Sequence, residues 1–301
     1  MRKADLVSCV ISTYKRKNET LERAAFSIIR QTYPSLELII VNDAPGIEID
    51  LSNIEKEAKK YDREFYYIEN SGSHGACNTR NIGAQAARGD YLAFLDDDDE
   101  WLPNKIEKQM EAFNCEDIGL VWCQNYVVKE GNKARHLAKN LPCTNESQYK
   151  GLLEGNYIGS TSFPLMRKKA FLEAGMFDSE IQSSQDCDLW IRIVKNYRAV
   201  YIPEPLVNYY VSIESISKDT KKRIAGYDYL LKKYEKEYSE NPETHVKRLN
   251  SIVGTFIFYG EYSSARQYLR MIIELYGINS VNCFFLCRRF IVGIRKRVMG
   301  Y

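Results

Sequence analysis

Histidine is scarce in this 301-residue chain: only His74, His136 and His245 occur. The eight cysteines are scattered, and only Cys283 and Cys287 stand one helical turn apart. No pair has zinc-ligand spacing, so a zinc site and a disulfide framework are both disfavoured, and the thiols read as reduced cysteines of a cytoplasmic chain. Net charge is small as well. Lys and Arg total 42 against 40 Asp and Glu, a formal +2, which gives no support to general nucleic-acid binding. Long apolar runs are missing. The longest uncharged stretch, residues 275–287, spans 13 positions and contains Asn279, Ser280 and Asn282, too short and too polar for a membrane-spanning helix. The N-terminal residues carry no signal-peptide pattern. The first apolar segment is followed by STYKRKN, without a glycine, which argues against nucleotidyl transfer through a glycine-rich phosphate loop. Acidic residues are absent beyond Glu274.

What is present is an ordinary folded composition, 45% hydrophobic and 27% charged, long enough for one large domain and a smaller one. Residues 6–12 (LVSCVIS), 36–41 (LELIIV), 64–68 (EFYYI) and 91–95 (YLAFL) are short apolar segments rich in β-prone residues. Between the first two, Asn18 offers an N-cap to a helix whose apolar face is Leu21, Ala24, Ala25, Ile28 and Ile29. A further helix is predicted over about 76–88. This alternation predicts a parallel α/β sheet, whose ligands sit at the carboxyl ends of the strands. Residues 115–215 mix short strands (120–128, 207–211) with short helices and read as the acceptor half of the same domain. Continuous helix follows, near 219–238, 243–259, 261–276 and 280–298, with breaks at Asn241-Pro242 and Gly260. The expected organisation is a catalytic domain over 1–218 and a helical region over 219–301.

The chemistry-bearing residues lie just beyond strand ends. Asp96, Asp97, Asp98 and Asp99 follow the fourth strand directly. Four adjacent carboxylates stay ionised only with a cation or good solvation, and Mg²⁺ or Mn²⁺ commonly pairs one or two carboxylates with substrate phosphates. A solvated acidic turn ahead of Pro103 is the plain alternative. Asp43, after the second strand, could accept the imide N–H of a pyrimidine base, although Asp-Ala-Pro-Gly is also common turn chemistry. Arg80 follows Gly75 at a helix start, where it could meet a phosphate or serve as a surface residue. Asp186 and Asp188 stand at the mouth of a helix. One suits a cap, the other a general base.

In order, VSCVISTYKR (7–16), LELIIVNDA (36–44), GACNTRNIG (75–83), GDYLAFLDDDDEWLP (89–103), GMFD (175–178) and QDCDLWIRI (185–193) resemble glycosyltransferase family 2 over about residues 5–215. The resemblance implies a GT-A fold: a Rossmann-like mixed sheet flanked by helices, here with a C-terminal helical extension. It also implies an inverting transfer from a nucleotide sugar, with a divalent metal, Mn²⁺ or Mg²⁺, as cofactor. On this resemblance Ser12, Tyr14, Asp43, Arg80 and Asp97 belong to the nucleotide site. The metal set implied is Asp96, Asp98 and Asp99: Asp96 and Asp98 match the Asp-X-Asp motif, with Asp98 the best direct metal ligand, and Asp99 matches a further acidic position. Asp186 matches the catalytic aspartate. Three positions depart from the pattern. Asn42 and Gln185 replace acids, and Ser212 stands where a histidine is frequent.

The donor expected from Asp43 is a uracil or thymine nucleotide sugar, with guanine also able to offer N–H donors. The acceptor class implied by the family is a saccharide or lipid-linked hydroxyl in bacterial surface polysaccharide synthesis. A non-catalytic nucleotide-sugar or carbohydrate-binding relative is the competing reading. Residues 281–301 place Phe284, Phe285, Phe290, Ile291 and Val292 beside five basic residues. That suits either an amphipathic helix on an anionic membrane at the inner face of the cell or a helix packed on the catalytic domain.

Overall fold

The computed structural model describes residues 5–129, 132–135, 144–211 and 219–278. The basic segment 280–301 and Ser212 lie outside the described residues. In chain order the elements are β1 (Val7–Thr13), α1 (Asn18–Ile29), β2 (Leu36–Asn42), α2 (Ser52–Lys60), β3 (Glu64–Glu69), α3 (Ala76–Ala86), β4 (Tyr91–Asp96), β5 (Glu100–Trp101) and α4 (Lys105–Glu111). There follow β6 (Ile118–Lys129), β7 (Asn132–Arg135), α5 (Asn145–Glu154), β8 (Leu165–Arg167), α6 (Lys168–Glu173), α7 (Gln185–Val194) and β9 (Arg198–Tyr210). Four helices complete the described chain: α8 (Thr220–Lys233), α9 (Glu235–Glu240), α10 (Pro242–Tyr259) and α11 (Tyr262–Tyr276).

The described chain divides into two compact units. The first runs to Gln148 and takes in Tyr157–Glu180 and the segment from Gln185 through β9. All nine strands lie in it, in one sheet of order β3-β2-β1-β4-β8-β6-β9-β5, with β7 paired to β6. β3, β2, β1 and β4 are parallel, and β8 then joins β4 antiparallel. The sheet is therefore mixed, as expected. Register places Thr13 beside Asn42 and Ser12 beside both Val41 and Asp96. The carboxyl ends of β1, β2 and β4 thus meet at one edge, where the chain turns from β1 towards β2 on one side and reaches β4 through α3. Such a reversal opens a crevice in a parallel sheet.

The apolar runs of β1 and β2 are buried on both faces. Val7, Cys9 and Ile11 cluster with Leu21, Ala24, Ala25 and Ile28 of α1, the face predicted from the spacing. Val10 meets α3: a Cβ built on Gly83 would lie 2.3 Å from Val10 Cγ1, so only glycine lets this helix approach so closely. α1 starts at Asn18 itself, and the expected side-chain cap is not made; Asn18 Nδ2 instead donates to the Asp50 carbonyl. One buried charge stands out. Lys105 is fully buried, donates to Gln109 Oε1 at 2.6 Å and lies over the Trp101 ring. Burial pushes its ammonium down to about 8.

The second unit comprises Tyr149–Asn156, Ile181–Ser184 and the C-terminal helices. The helix expected over 219–238 is two helices, because the backbone leaves helical geometry at Tyr234. Asp219 caps α8 through the Lys221 and Lys222 N–H groups, and Gly260 ends α10 at φ +79°. Its core joins Leu249, Val253 and Phe256 of α10 to Ala265, Tyr268 and Ile272 of α11. Among the described residues no helix is long and apolar enough to cross a membrane.

Candidate active site

β4 runs into a tight turn, closed by the Asp99 N–H on the Asp96 carbonyl at 3.0 Å. Within this turn exposure alternates: Asp96 and Asp98 are half-buried, Asp97 and Asp99 buried. Asp97 accepts from Thr13 Oγ1 at 2.8 Å and from Arg16 Nε at 2.9 Å. Asp99, fully buried, accepts from the Ser162 hydroxyl at 2.6 Å and from the Tyr210 N–H at 3.0 Å. Burial and the neighbouring Asp96 hold its carboxyl well above the usual range. Each Asp99 oxygen thus accepts one hydrogen bond, and together they tie the turn to Ser162 and to β9.

Asp98 is held less firmly than Asp96: both side chains are 28% exposed, but Asp98 meets Arg16 Nη2 only at 3.3 Å from Oδ2. Burial and the charges of Asp96 and Asp97 push it up to about 6 against the opposing pull of Arg16. An additional cation would relieve that repulsion. Among the described residues no group of three or more His, Cys, Asp or Glu side chains converges as a ready cage. A carboxylate such as Asp98 suits a hard divalent ion completed by substrate phosphate and water, a common Mg²⁺ arrangement.

Asp96 faces a different partner set. Arg80 Nη2 donates to its Oδ1 at 2.6 Å, with Thr161 Oγ1 at 3.0 Å, and Ser160 Oγ reaches Oδ2 at 3.1 Å. Burial opposes its charge, but Arg80 and the two hydroxyls outweigh that and keep its pKa below the ordinary value. Arg80 is 12% exposed and lies over the Phe177 ring. Asn81 and Phe177 exchange backbone–side-chain hydrogen bonds at 2.9 and 3.0 Å, which fixes α3 against that loop. Arg80 also acts on Asp186, whose carboxyl sits in the first turn of α7 and accepts the Cys187 N–H at 2.7 Å. Burial pushes Asp186 up to about 6, against the Cys187 N–H and Arg80. The residue before α7's first, Ser184, is at φ +66°, a conformation that non-glycine residues rarely hold and that often marks a functional turn. Two residues on, Asp188 is fully buried and paired with Arg192 at 2.6 Å. Asp188 is thus buried against Arg192, while Asp186 lies within the electrostatic influence of Arg80 and Asp96.

Asp43 stands apart at the end of β2. Its Oδ1 accepts from Asn70 Nδ2 at 2.7 Å and lies 3.1 Å from His74 Nδ1; its Oδ2 accepts the Gly75 N–H at 2.8 Å. Burial opposes its charge, yet these donors hold it below the ordinary carboxylate range. Gly75, at φ +112°, aims that N–H in a conformation disfavoured for any other residue. A base N–H must join this set or displace His74, the exposed member at 56%. Asn42, one of the departures from the family pattern, organises the turn: its amide donates to the Ala44 carbonyl and Tyr67 hydroxyl and accepts the Ala44 N–H. Ser12 is half-buried at the end of β1, and Tyr14 is 57% exposed with the Lys15 ammonium over its ring.

Several site residues were not singled out from the sequence. Arg16 bridges Asp97 and Asp98. Arg23 donates to the Asp98 carbonyl at 2.6 Å and stacks on Tyr210. Ser160, Thr161 and Ser162 line the acidic turn. Tyr209 lies in the field of Asp96, Asp98, Asp99 and Asp186, which together with burial raises its phenol pKa. Only Arg16 had a sequence signal, its place immediately after a strand end.

The family model described as glycosyl transferase family 2 matches residues 8–175. An uncharacterized glycosyltransferase of Methanocaldococcus jannaschii is 31% identical over 231 residues, spanning 75% of this chain and 78% of the relative. The GalNAc(5)-diNAcBac-PP-undecaprenol beta-1,3-glucosyltransferase of Campylobacter jejuni is 30% identical over 197 residues, 65% of this chain and 62% of its own. A mannosyltransferase from Pyrobaculum calidifontis, solved with GDP-Man and Mn²⁺, superposes with a TM-score of 0.60 at 14% identity, covering 99% of this chain and 88% of that one. That likeness is one of fold, the GT-A fold of glycosyltransferases.

Proposed function

The chain belongs to glycosyl transferase family 2, and from that premise we propose that it is an inverting enzyme that moves a hexosyl group from a nucleotide sugar to an acceptor hydroxyl. The observation that carries this reading is that Arg80 is bonded to Asp96 and also acts electrostatically on Asp186, so one cation serves two acidic groups with different environments. A single displacement needs both a cationic pole for the departing diphosphate and a separate base for the incoming hydroxyl. In this reading Asp186, raised to about 6, is ionised at neutral pH yet basic enough to take the acceptor proton. An Asp186 carboxyl that burial raises to about 6 favours an active enzyme over a binding-only relative.

Asp98 would hold Mn²⁺ or Mg²⁺ together with the donor's phosphates. When bound, the ion supplies charge stabilisation to the leaving diphosphate. Asp97 keeps Arg16 beside that position, and Asp96 keeps Arg80 oriented between the two poles. Asp43 reads the base. A uracil or thymine imide N–H suits its acceptor, and guanine, the base bound by the Pyrobaculum mannosyltransferase, is the other base with a suitable donor edge. Ser12 and Tyr14 line the same nucleotide site. A lipid-linked saccharide acceptor draws support from the Campylobacter relative's undecaprenol-linked substrate, and the basic C-terminal segment would then bring the enzyme to an anionic inner membrane surface from the cytoplasm.

The test is a thermal-shift panel of UDP-, dTDP-, GDP- and ADP-sugars with Mn²⁺ or Mg²⁺, since a ligand that binds only the folded state raises its melting temperature. Protection by a UDP-, dTDP- or GDP-sugar that disappears in Asp98→Asn is expected. Protection by ADP-sugars alone would overturn the assignment of Asp43.

A further inference from the structure

Asp98 is not unaccompanied. Arg16 Nη2 lies 2.6 Å from Asp97 Oδ1 and 3.3 Å from Asp98 Oδ2, while Arg16 Nε holds Asp97 Oδ1 at 2.9 Å. The guanidinium therefore has a firm attachment, buried Asp97, and a loose one, Asp98. Asp97 is itself fixed by Thr13 Oγ1. Arg16 is 36% exposed, and the residue before it, Lys15, is at φ +50°, so the chain is turned sharply to bring the arginine back over the acidic turn.

We infer that Arg16 is a built-in counter-ion that occupies the cation side of Asp98 in the free protein, so that metal and nucleotide bind cooperatively. The inference rests on the metal reading of Asp98 given above. A divalent ion on Asp98 Oδ2 and a guanidinium at 3.3 Å from the same oxygen repel each other. Metal alone must displace Arg16 into solvent. A nucleoside diphosphate offers Arg16 an alternative partner, because a guanidinium donates to phosphate oxygens as well as to carboxylate. Arg16 can turn its Nη groups to the diphosphate while Nε stays on Asp97, leaving Asp98 for the metal. By linkage, each ligand then raises the affinity of the other by the same factor.

The experiment is a titration of Mn²⁺, followed by the loss of its free electron paramagnetic resonance signal, with and without saturating UDP or GDP. It uses the full chain, Arg16→Gln, Arg16→Lys and, as a control, Lys15→Gln, which removes a neighbouring charge without touching the aspartates. For the wild type, nucleotide should tighten Mn²⁺ binding by about 5- to 150-fold, the usual range of such coupling. Arg16→Gln should bind Mn²⁺ alone about ten-fold or more tightly than the wild type, on the same scale, and its coupling should shrink by the same factor, leaving the part due to direct ligation of the ion by the diphosphate. Arg16→Lys should fall between, and Lys15→Gln should match the wild type. Circular dichroism melts report folding of each variant. Unchanged Mn²⁺ affinity in both Arg16 variants, with wild-type coupling intact, would overturn the inference and leave the metal reading standing. Failure of the wild type to bind Mn²⁺ even with UDP or GDP would overturn both.

Discussion

The roles of Asp186 and Asp188 can be separated by single substitutions. Asp186→Asn keeps the shape and the place on α7 but removes the basic lone pair. It should lower kcat by about 10²–10⁴-fold with nucleotide affinity little changed, as read by turnover and calorimetric titration. Asp188→Asn leaves Arg192 without its buried counter-charge and should cost stability, on the order of 3 kcal/mol, with a smaller loss of rate. The reverse ranking would exchange the two roles. The pH profile follows from Asp186 together with Asp98. Both are raised to about 6 and both act ionised, so kcat/KM should fall on the acid side below about pH 6 with a slope approaching two; a profile flat to pH 4.5 would remove Asp186 as the base. The sequence made part of this legible. The Asp-X-Asp pattern is visible in the letters, but which aspartates are covered depends on the turn after β4, and the partners of Asp99, Ser162 and the Tyr210 N–H, come from segments far away in the chain. Arg23, Ser160 and Thr161 carried no signal, because their relation to the turn is made only by tertiary contact.

At the scale of elements, α3 and α4 each carry a testable consequence. Gly83→Ala puts a methyl into Val10 at the closest approach of α3 to the sheet. Overpacking of this kind costs about 1–3 kcal/mol, and because Arg80 rides on α3, nucleotide-dependent protection should weaken along with the melting temperature. On α4, burial pushes Lys105 down from the ordinary lysine value of 10.5 to about 8 in the folded state. Below about 8 it is charged in both states and its burial penalty is complete. As pH rises from 8 towards 10.5 the folded state releases the proton first, so the unfolded state binds more protons and stability rises. The difference in unfolding free energy between wild type and Lys105→Met should therefore shift in favour of the wild type across that window, by up to about 3 kcal/mol. A difference independent of pH would mean that the ammonium is not held in the core as described. The strands β1 to β4 and the apolar face of α1 were legible because burial on one or both sides imposes a strong pattern. The split at Tyr234 was not, since helix-favouring residues run through it and only the backbone turns.

For the whole molecule, the sequence resemblance, the mixed sheet and the family match agree on a GT-A transferase. The order of strands could not be read from the letters, since the antiparallel entry of β8 beside β4 depends on a contact between segments far apart in the chain. The basic segment leads to a prediction of its own: deletion of residues 280–301 should abolish flotation with anionic vesicles while leaving nucleotide-dependent thermal protection unchanged, and flotation that survives the deletion would remove the membrane proposal. The claim on which the rest depends is a single-displacement transfer with Asp186 as base. It is tested most directly by proton NMR of the glycoside formed from a nucleotide sugar that protects the enzyme, using wild type and Asp186→Asn side by side. The account predicts a product of anomeric configuration opposite to the donor's, formed by the wild type and nearly absent with Asp186→Asn; a product that keeps the donor configuration, or equal yields from the two proteins, would contradict it.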